Sequence, residues 1–357
     1  MRLITAILLF TIFIVTAFFW FNFLRSPLVL ADQGLIYRFH AGASVKTLVN
    51  DLSTQKVIKH PMLFRLLVRL KGVTFKLKAG EYLFAKGTTP TQLLDQMAEG
   101  KGLVQHAFTI INGWNFRQLR AALDNEPALF HQTKNLDNAA IMKLIGATGL
   151  DPEGQFYPDT YFFIIDSSDV TVLKRAFRNM QAKLSQAWQT RAQDIPFSDP
   201  YAALIAASLI EKETSVDEER PIIAGVLVNR LKKQMLLQFD PTVIYGLGTQ
   251  FDGKIYKKNL LANTPYNTYL HRGLPPTPIA MPSLKSIEAA LHPAEHHYYY
   301  FVAREDHKSH YFSETLAEHL ARVAEVRKYQ NHANVKATPT SGGGQSSTVG
   351  FLFDKQK

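Results

Sequence analysis

From Leu3 to Leu24 no charged side chain interrupts a run rich in Ile, Leu, Phe and Val. About 20 such residues match the hydrocarbon thickness that a helix must span, so the pattern predicts a transmembrane helix within residues 1–25. The run exceeds the ~7–15 residues of a cleavable signal core and no small-x-small site follows it, which reads as a retained anchor. A short linker, 26–34, leads to a small unit over 35–102. There the pattern predicts a strand from Leu35 to His40, helices from Val45 to Ser53 and Pro61 to Leu70, a strand and turn over Lys78–Phe84, and a helix from Thr91 to Glu99. Pro61 suits a first helical position, and Thr89-Pro90-Thr91 offers a cap. Residues 103–330 mix helices with short strands, an α+β pattern. From 331 to 357 the chain turns rich in Gly, Ser and Thr and is expected to be a disordered tail.

The most informative local pattern lies in the large region. Ten uncharged residues, Tyr201 to Ile210, run straight into Glu211-Lys212-Glu213-Thr214. A carboxyl group held against apolar neighbours resists ionising, so it keeps a proton near neutral pH and can donate it. Ser215-Val216-Asp217-Glu218 follows with capping-box spacing. Pro221 must stand near the start of the next helix, because deeper inside it would remove a hydrogen bond. That helix shows a broad apolar face through Ile222, Ile223, Val226, Leu227 and Leu231 and ends near Gln234. Residues two apart on a helix point about 200° away from each other, so Glu211 and Glu213 do not form a close pair in one cleft. Spacing alone does not choose between them. It also allows both to be ordinary carboxylates that cap the helix or pair with Lys212 and Arg220.

Composition narrows the chemistry. The chain of 357 residues has no cysteine, which excludes a disulfide framework, a thiolate metal site and a cysteine nucleophile. Its formal charge of +10 points to an anionic partner. The cations crowd the small unit, at Lys46, Lys56, Lys59, Arg65, Arg69, Lys71, Lys76, Lys78 and Lys86, and suit either an anionic polymer or a membrane surface. Arg2 and Arg25 flank the apolar run on opposite sides, so local charge does not orient it. An anchor before a large soluble region most simply leaves that region outside the cytoplasm. Nucleic acid is then not expected as a partner.

Downstream, short runs combine aromatic and polar side chains: Leu237-Gln238-Phe239-Asp240-Pro241-Thr242-Val243, Pro265-Tyr266-Asn267-Thr268-Tyr269 and Gly273-Leu274-Pro275-Pro276-Thr277. Tyrosine faces and amide or hydroxyl groups together suit sugar recognition, and equally suit a packed core with stiffened loops. These runs, with Glu211-Lys212-Glu213-Thr214, Glu219-Arg220-Pro221, Asn229-Arg230-Leu231, His310-Tyr311-Phe312-Ser313, Glu153-Gly154 and Tyr157-Pro158-Asp159-Thr160-Tyr161, resemble the MltG (YceG-like) endolytic murein transglycosylases. The resemblance extends from the apolar N-terminus to about residue 330 and implies that the small unit is a LysM-like subdomain of βααβ type.

The resemblance also chooses between the glutamates. The family's catalytic residue precedes Thr, which places the role on Glu213, with Thr214, Glu211 and Arg220 in support. It implies an acid that protonates the β-1,4 bond between N-acetylmuramic acid and N-acetylglucosamine, then a base that lets the muramoyl C6 hydroxyl close on C1. The product is a 1,6-anhydromuramoyl end. One carboxylate suffices, where most glycoside hydrolases use two. Gln238, Asp240, Thr242, Tyr266, Asn267 and Tyr269 are the candidates for the substrate wall. No metal or organic cofactor is implied. Expected partners are peptidoglycan glycan strands and peptidoglycan synthases of the penicillin-binding class, with the chain held by one helix in the inner membrane and its catalytic region periplasmic. The competing class is a non-catalytic, membrane-anchored peptidoglycan-binding scaffold that recruits synthases.

The chain departs from the family pattern at Thr277, where Gly is common, and at Met281-Pro282-Ser283, where Asn-Pro-Gly is usual. Loss of glycine is expected to restrict the loop where positive φ is needed. His292-Pro293-Ala294-Glu295-His296 has the spacing of a zinc-binding helix, but Pro293 and the strand-like run Tyr298–Val302 argue that the helix stops there.

Overall fold

A computed structural model describes residues 2–306 and 308–336. The chain forms two units. The first runs to Phe108 and takes in Pro127–Phe130 and Phe162–Ser167; the second holds Thr109–Glu126, His131–Tyr161 and the described residues from Ser168 onward. The division thus falls a few residues beyond position 102, and two short later segments join the first unit.

The first unit begins with α1 (Arg2–Arg25), whose residues are almost all exposed until its last turn. Next come β1 (Leu35–Phe39), α2 (Val45–Thr54), α3 (Pro61–Leu70), β2 (Gly80–Phe84) and α4 (Pro90–Glu99). β1 and β2 pair antiparallel, Leu35 opposite Phe84 and Phe39 opposite Gly80, so the expected βααβ order is present. The core is built from one face of each element. Tyr37 and Phe39 of β1, Leu48, Val49 and Leu52 of α2, Phe64, Leu67 and Val68 of α3, Tyr82 and Phe84 of β2, and Leu93, Leu94 and Met97 of α4 are buried together. The predicted caps are realised. Thr89 and Gln92 form a reciprocal capping box with Pro90 at the first turn, and Pro61 opens α3. Trp20, Phe23 and Leu24, from the end of α1, pack against this same core.

The chain continues through β3 (Gln105–Thr109), α5 (Phe116–Asp124), β4 (Leu129–Phe130), α6 (Asn138–Ile145), β5 (Thr160–Ile164), β6 (Ser167–Ser168) and α7 (Asp169–Gln189). It then forms α8 (Pro200–Glu213), α9 (Arg220–Lys232), α10 (Asp240–Leu247), α11 (Lys257–Leu260), α12 (Leu284–Leu291), β7 (Tyr300–Ala303), β8 (His310–Ser313) and α13 (Leu316–Lys336). The described sheets are all two-stranded: β1–β2, β3–β5, β4–β6 and β7–β8. Helix α13 extends to Lys336, so residues 331–336, expected to open a tail, are helical; the rest of that expected tail, 337–357, lies outside the described residues.

The centre of the second unit is α8. Ala203 to Ile210 are buried without a break, because this helix is apolar all round and is enclosed on every side. Asp199 caps it by accepting from Ala202 N at 2.9 Å, with Pro200 at the first turn. Helices α9 and α12 pack around it, contributing Ile223, Ala224, Leu227, Ile287, Ala290 and Leu291 to the same core. The expected capping box at Ser215 is not formed. Instead Thr214 Oγ1 accepts from Val216 N at 3.0 Å, a short 3-10 turn covers Asp217–Glu219, and α9 starts at Arg220 with Pro221 in its first turn. Gly225 lets α9 approach the loop after α12, since a Cβ there would lie 2.4 Å from the Ala294 carbonyl oxygen.

Candidate active site

The two carboxylates at the end of α8 have opposite environments. Glu211 is fully engaged. Its Oε2 accepts from Ser283 N at 2.9 Å, Ser283 Oγ at 2.6 Å, Ser286 Oγ at 2.7 Å and the Arg220 guanidinium at 3.1 Å. Arg220 also bonds Asp217 at 3.1 Å and Ser286. These four contacts, one of them an ion pair, tie the end of α8 to α9 and to the start of α12.

Glu213 is different. Its Oε2 is buried and has no hydrogen-bond partner among the described residues. Burial raises its pKa from 4.5 to about 8, the Asp240 carboxylate adds to the rise, and Arg230 opposes it. A proton therefore stays on Glu213 at neutral pH. Asp240 stands in the first turn of α10 and accepts a hydrogen bond from the Tyr269 hydroxyl. Burial raises the Asp240 pKa as well, although the Tyr269 bond opposes that rise. Arg230 reaches this locus from α9 but spends its donors on backbone, at 2.6 Å to the Tyr299 carbonyl and 2.5 Å to that of Leu237.

Beside these groups, a cleft of about 420 Å³ is lined by Asn112, Gly113, Glu211, Lys212, Glu213, Thr214, Ser215 and Arg220. Its lip is pinned. Gly113 N donates to the Met281 carbonyl at 2.9 Å, Met281 N donates to the Trp114 carbonyl at 2.7 Å, and Lys212 Nζ reaches the Gly113 carbonyl at 3.2 Å. The turn after Glu213 is held from β8: Glu219 accepts from His310 N and lies 2.7 Å from its Nδ1, while lying 3.4 Å from Thr214 Oγ1.

The expected substrate wall divides in three. Asp240 and Tyr269 act on Glu213 electrostatically or through each other, and neither lines the cleft. Thr242 and Asn267 are fully buried. Thr242 bonds Phe239 O at 2.6 Å and Thr268 Oγ1 at 2.9 Å; Asn267 holds the carbonyls of Leu260 and Ala262 at 3.0 and 2.8 Å. Both were expected from sequence to contact glycan; in the structure their polar atoms are used in shaping the loops behind the wall. Tyr266 bonds Thr277 at 3.0 Å and stands edge-on to Tyr245, with ring centroids 4.6 Å apart. Gln238 is partly exposed and adopts a left-handed backbone, φ 55°, held by its N–H on the Thr268 carbonyl at 3.0 Å.

The two departures from the family pattern carry no strain. Ser283 sits at φ −70°, so it needs no glycine, and its hydroxyl both caps α12 and bonds Glu211. Thr277 supplies the hydroxyl for Tyr266. As Pro293 suggested, α12 ends at Leu291, so His292 and His296 do not share a helix. His296 instead donates from Nε2 to the Ile222 carbonyl at 2.9 Å and accepts the Tyr298 N–H at 3.0 Å. Among the described residues no group of three or more acidic or histidine side chains is arranged to hold a metal.

Sequence reasoning passed over Arg230, Asn112 and Gly113 as site residues. Asn112-Gly113 is a turn dipeptide and was readable as such, but nothing in it points to α8. A further buried carboxyl, Glu153, accepts from Phe116 N at 3.0 Å and from the Tyr245 hydroxyl at 2.9 Å, and burial raises its pKa to about 7. The adjoining Gly154 has φ +74° and would place a Cβ 2.5 Å from Pro278 Cβ.

The model of the YceG-like family matches residues 37–325. A Bacillus subtilis (strain 168) protein named endolytic murein transglycosylase is 31% identical over 295 residues, covering 78% of this chain and 81% of that protein. One of the same name from Streptococcus pneumoniae serotype 2 is 26% identical over 316 residues, and the matched part is 80% of this chain but 57% of that longer protein. A crystal structure of a YceG-like protein from Listeria monocytogenes superposes with a TM-score of 0.52 at 29% identity, covering 82% of this chain and 99% of that one.

Proposed function

We infer that this chain, which belongs to the YceG-like family, is an endolytic murein transglycosylase that cuts the β-1,4 bond between N-acetylmuramic acid and N-acetylglucosamine within glycan strands. The observation that carries this reading is the unpartnered, buried Oε2 of Glu213 beside an open cleft, with a pKa raised to about 8. Such a carboxyl is an acid waiting for an acceptor.

In the first half of the reaction Glu213 gives its proton to the glycosidic oxygen as the C1–O bond breaks, and the glucosaminyl hydroxyl leaves. Positive charge builds on the muramoyl ring and is met by the substrate's own acetamido group and by the carboxylate just formed. In the second half the C6 hydroxyl oxygen bonds to C1, and its proton returns to Glu213. No water is consumed and the enzyme ends in its starting protonation state. Asp240 keeps the acid protonated between turnovers, and Tyr269 fixes Asp240. Glu211 and Arg220 hold the end of α8 so that Glu213 meets the cleft.

Helix α1 is long and apolar enough to cross a membrane. Its last turn packs into the core of the first unit, which supports a retained anchor over a removed leader, with the folded part on the wall side of the inner membrane. The βααβ order supports a LysM-like reading of that unit. Growing strands at that surface are the expected substrate, and the synthases that make them are the expected partners. The test is product analysis of purified glycan strands by mass spectrometry: internal cuts ending in anhydromuramoyl residues support the reading, whereas reducing ends one water heavier would mark a hydrolase and overturn it.

A further inference from the structure

Helix α3 buries Phe64, Leu67 and Val68 and leaves a second apolar stripe outside. Met62, Leu66 and Leu70 are spaced four apart and therefore lie on one face; all three are exposed, Met62 to 83%. Phe75, just beyond the helix, is 99% exposed. Cations are interleaved with this stripe. Arg65 and Arg69 fall on the same side of the helix, and Lys76 follows Phe75. Arg65 bonds the Asn50 side chain at 3.2 Å, while Arg69 and Lys76 meet no acidic partner among the described residues. Exposed large apolar side chains flanked by cations are the composition of a surface that lies in a lipid headgroup layer.

The position of α1 says which partner covers this face. Trp20, Phe23 and Leu24 near its C-terminal end pack on the core to which α3 contributes, and the Phe23 ring lies 6.5 Å from that of His60, the residue just before α3. Arg25 folds over the Phe21 ring at 4.0 Å. An aromatic and basic helix end of this kind sits at the membrane–water boundary. Whatever packs against it lies at headgroup depth, and α3 starts there. Resting on the reading of α1 as a retained anchor, we propose that the outer stripe of α3 and Phe75 form a second membrane contact, dipping into the interfacial layer of an anionic leaflet while Arg65, Arg69 and Lys76 meet lipid phosphates. The first unit is then fixed against the bilayer instead of hanging from it.

Because the chain has no cysteine, a single introduced thiol labels one site. Full-length Phe75→Cys, carrying an environment-sensitive fluorophore, is reconstituted into phosphatidylcholine vesicles with and without phosphatidylglycerol. Phe13→Cys, in the middle of α1, is treated alike, and quenching by lipids spin-labelled near the headgroup or deep in the chain reports depth. The expected result is a blue-shifted Phe75 label quenched by the shallow lipid, more strongly with phosphatidylglycerol, and less so when Arg65 and Arg69 are both replaced by Gln. The Phe13 label is expected to respond to the deep lipid. A Phe75 label that keeps its aqueous emission while Phe13 is deeply quenched overturns the proposal and leaves the anchor intact. If Phe13 is not quenched, the anchor fails and the proposal falls with it. A Phe75 label that ignores both lipids but shifts on adding soluble peptidoglycan fragments would identify a glycan surface instead. Quenching indifferent to phosphatidylglycerol and to the arginine changes would remove the anionic headgroup from the account.

Discussion

Asp240, in the first turn of α10, raises the pKa of Glu213, the last residue of α8. Neither carboxyl is on the same element as the other, and 26 positions of sequence, from 214 to 239, separate them. Their proximity makes ionisation of Glu213 costlier than burial alone would. It follows that Asp240→Asn should lower the Glu213 pKa and move the alkaline limb of the pH–rate profile toward lower pH. A profile of kcat/KM across pH for both forms checks this; an unmoved limb would separate Asp240 from the acid.

Glu211 is predicted to be structural. Replacing it with Gln leaves Arg220 short of a buried charge partner and weakens the bonds from Ser283 and Ser286, which is expected to cost about 3 kcal/mol of stability. Denaturant unfolding measures the loss. Residual activity at a temperature where the variant is folded should exceed that of any Glu213 variant, and the reverse order would exchange the two roles.

Glu213 also links stability to pH. Its folded pKa of about 8 lies above the ordinary 4.5, so the native state binds more protons than the unfolded one between these values. Stability contributed this way is fully present below the unfolded pKa and is lost as pH rises through about 8. At about 1.36 kcal/mol per unit the loss reaches an upper limit on the order of 5 kcal/mol. Unfolding measured at about pH 5 and about pH 9 should show this decline in the parent chain and a smaller one in Glu213→Gln.

Much of this was legible in the chain because it depends on local pattern. The charge-free run Tyr201–Ile210 gave away a fully enclosed helix, and the two-residue spacing separated the environments of Glu211 and Glu213. Pro61, Pro90 and Pro221 marked helix starts that the structure keeps. What stayed hidden depends on distant partners. Nothing in Arg230 announces that its donors go to Tyr299 and Leu237 carbonyls, nor in Glu219 that it receives His310 from β8. Thr242 and Asn267 misled for a related reason: a polar side chain reads as available for ligand until its backbone partners are seen. Ser283 misled in the opposite sense, since a position where glycine is usual need not have positive φ.

The proposal that one carboxyl, Glu213, performs both proton transfers is tested best by the rate at which Glu213→Gln releases anhydromuropeptides from purified glycan strands. The expected result is a fall of more than about 10³-fold, since the amide neither donates nor accepts the proton, in a protein that unfolds no more readily than the parent. Release at an undiminished rate by that variant would contradict it.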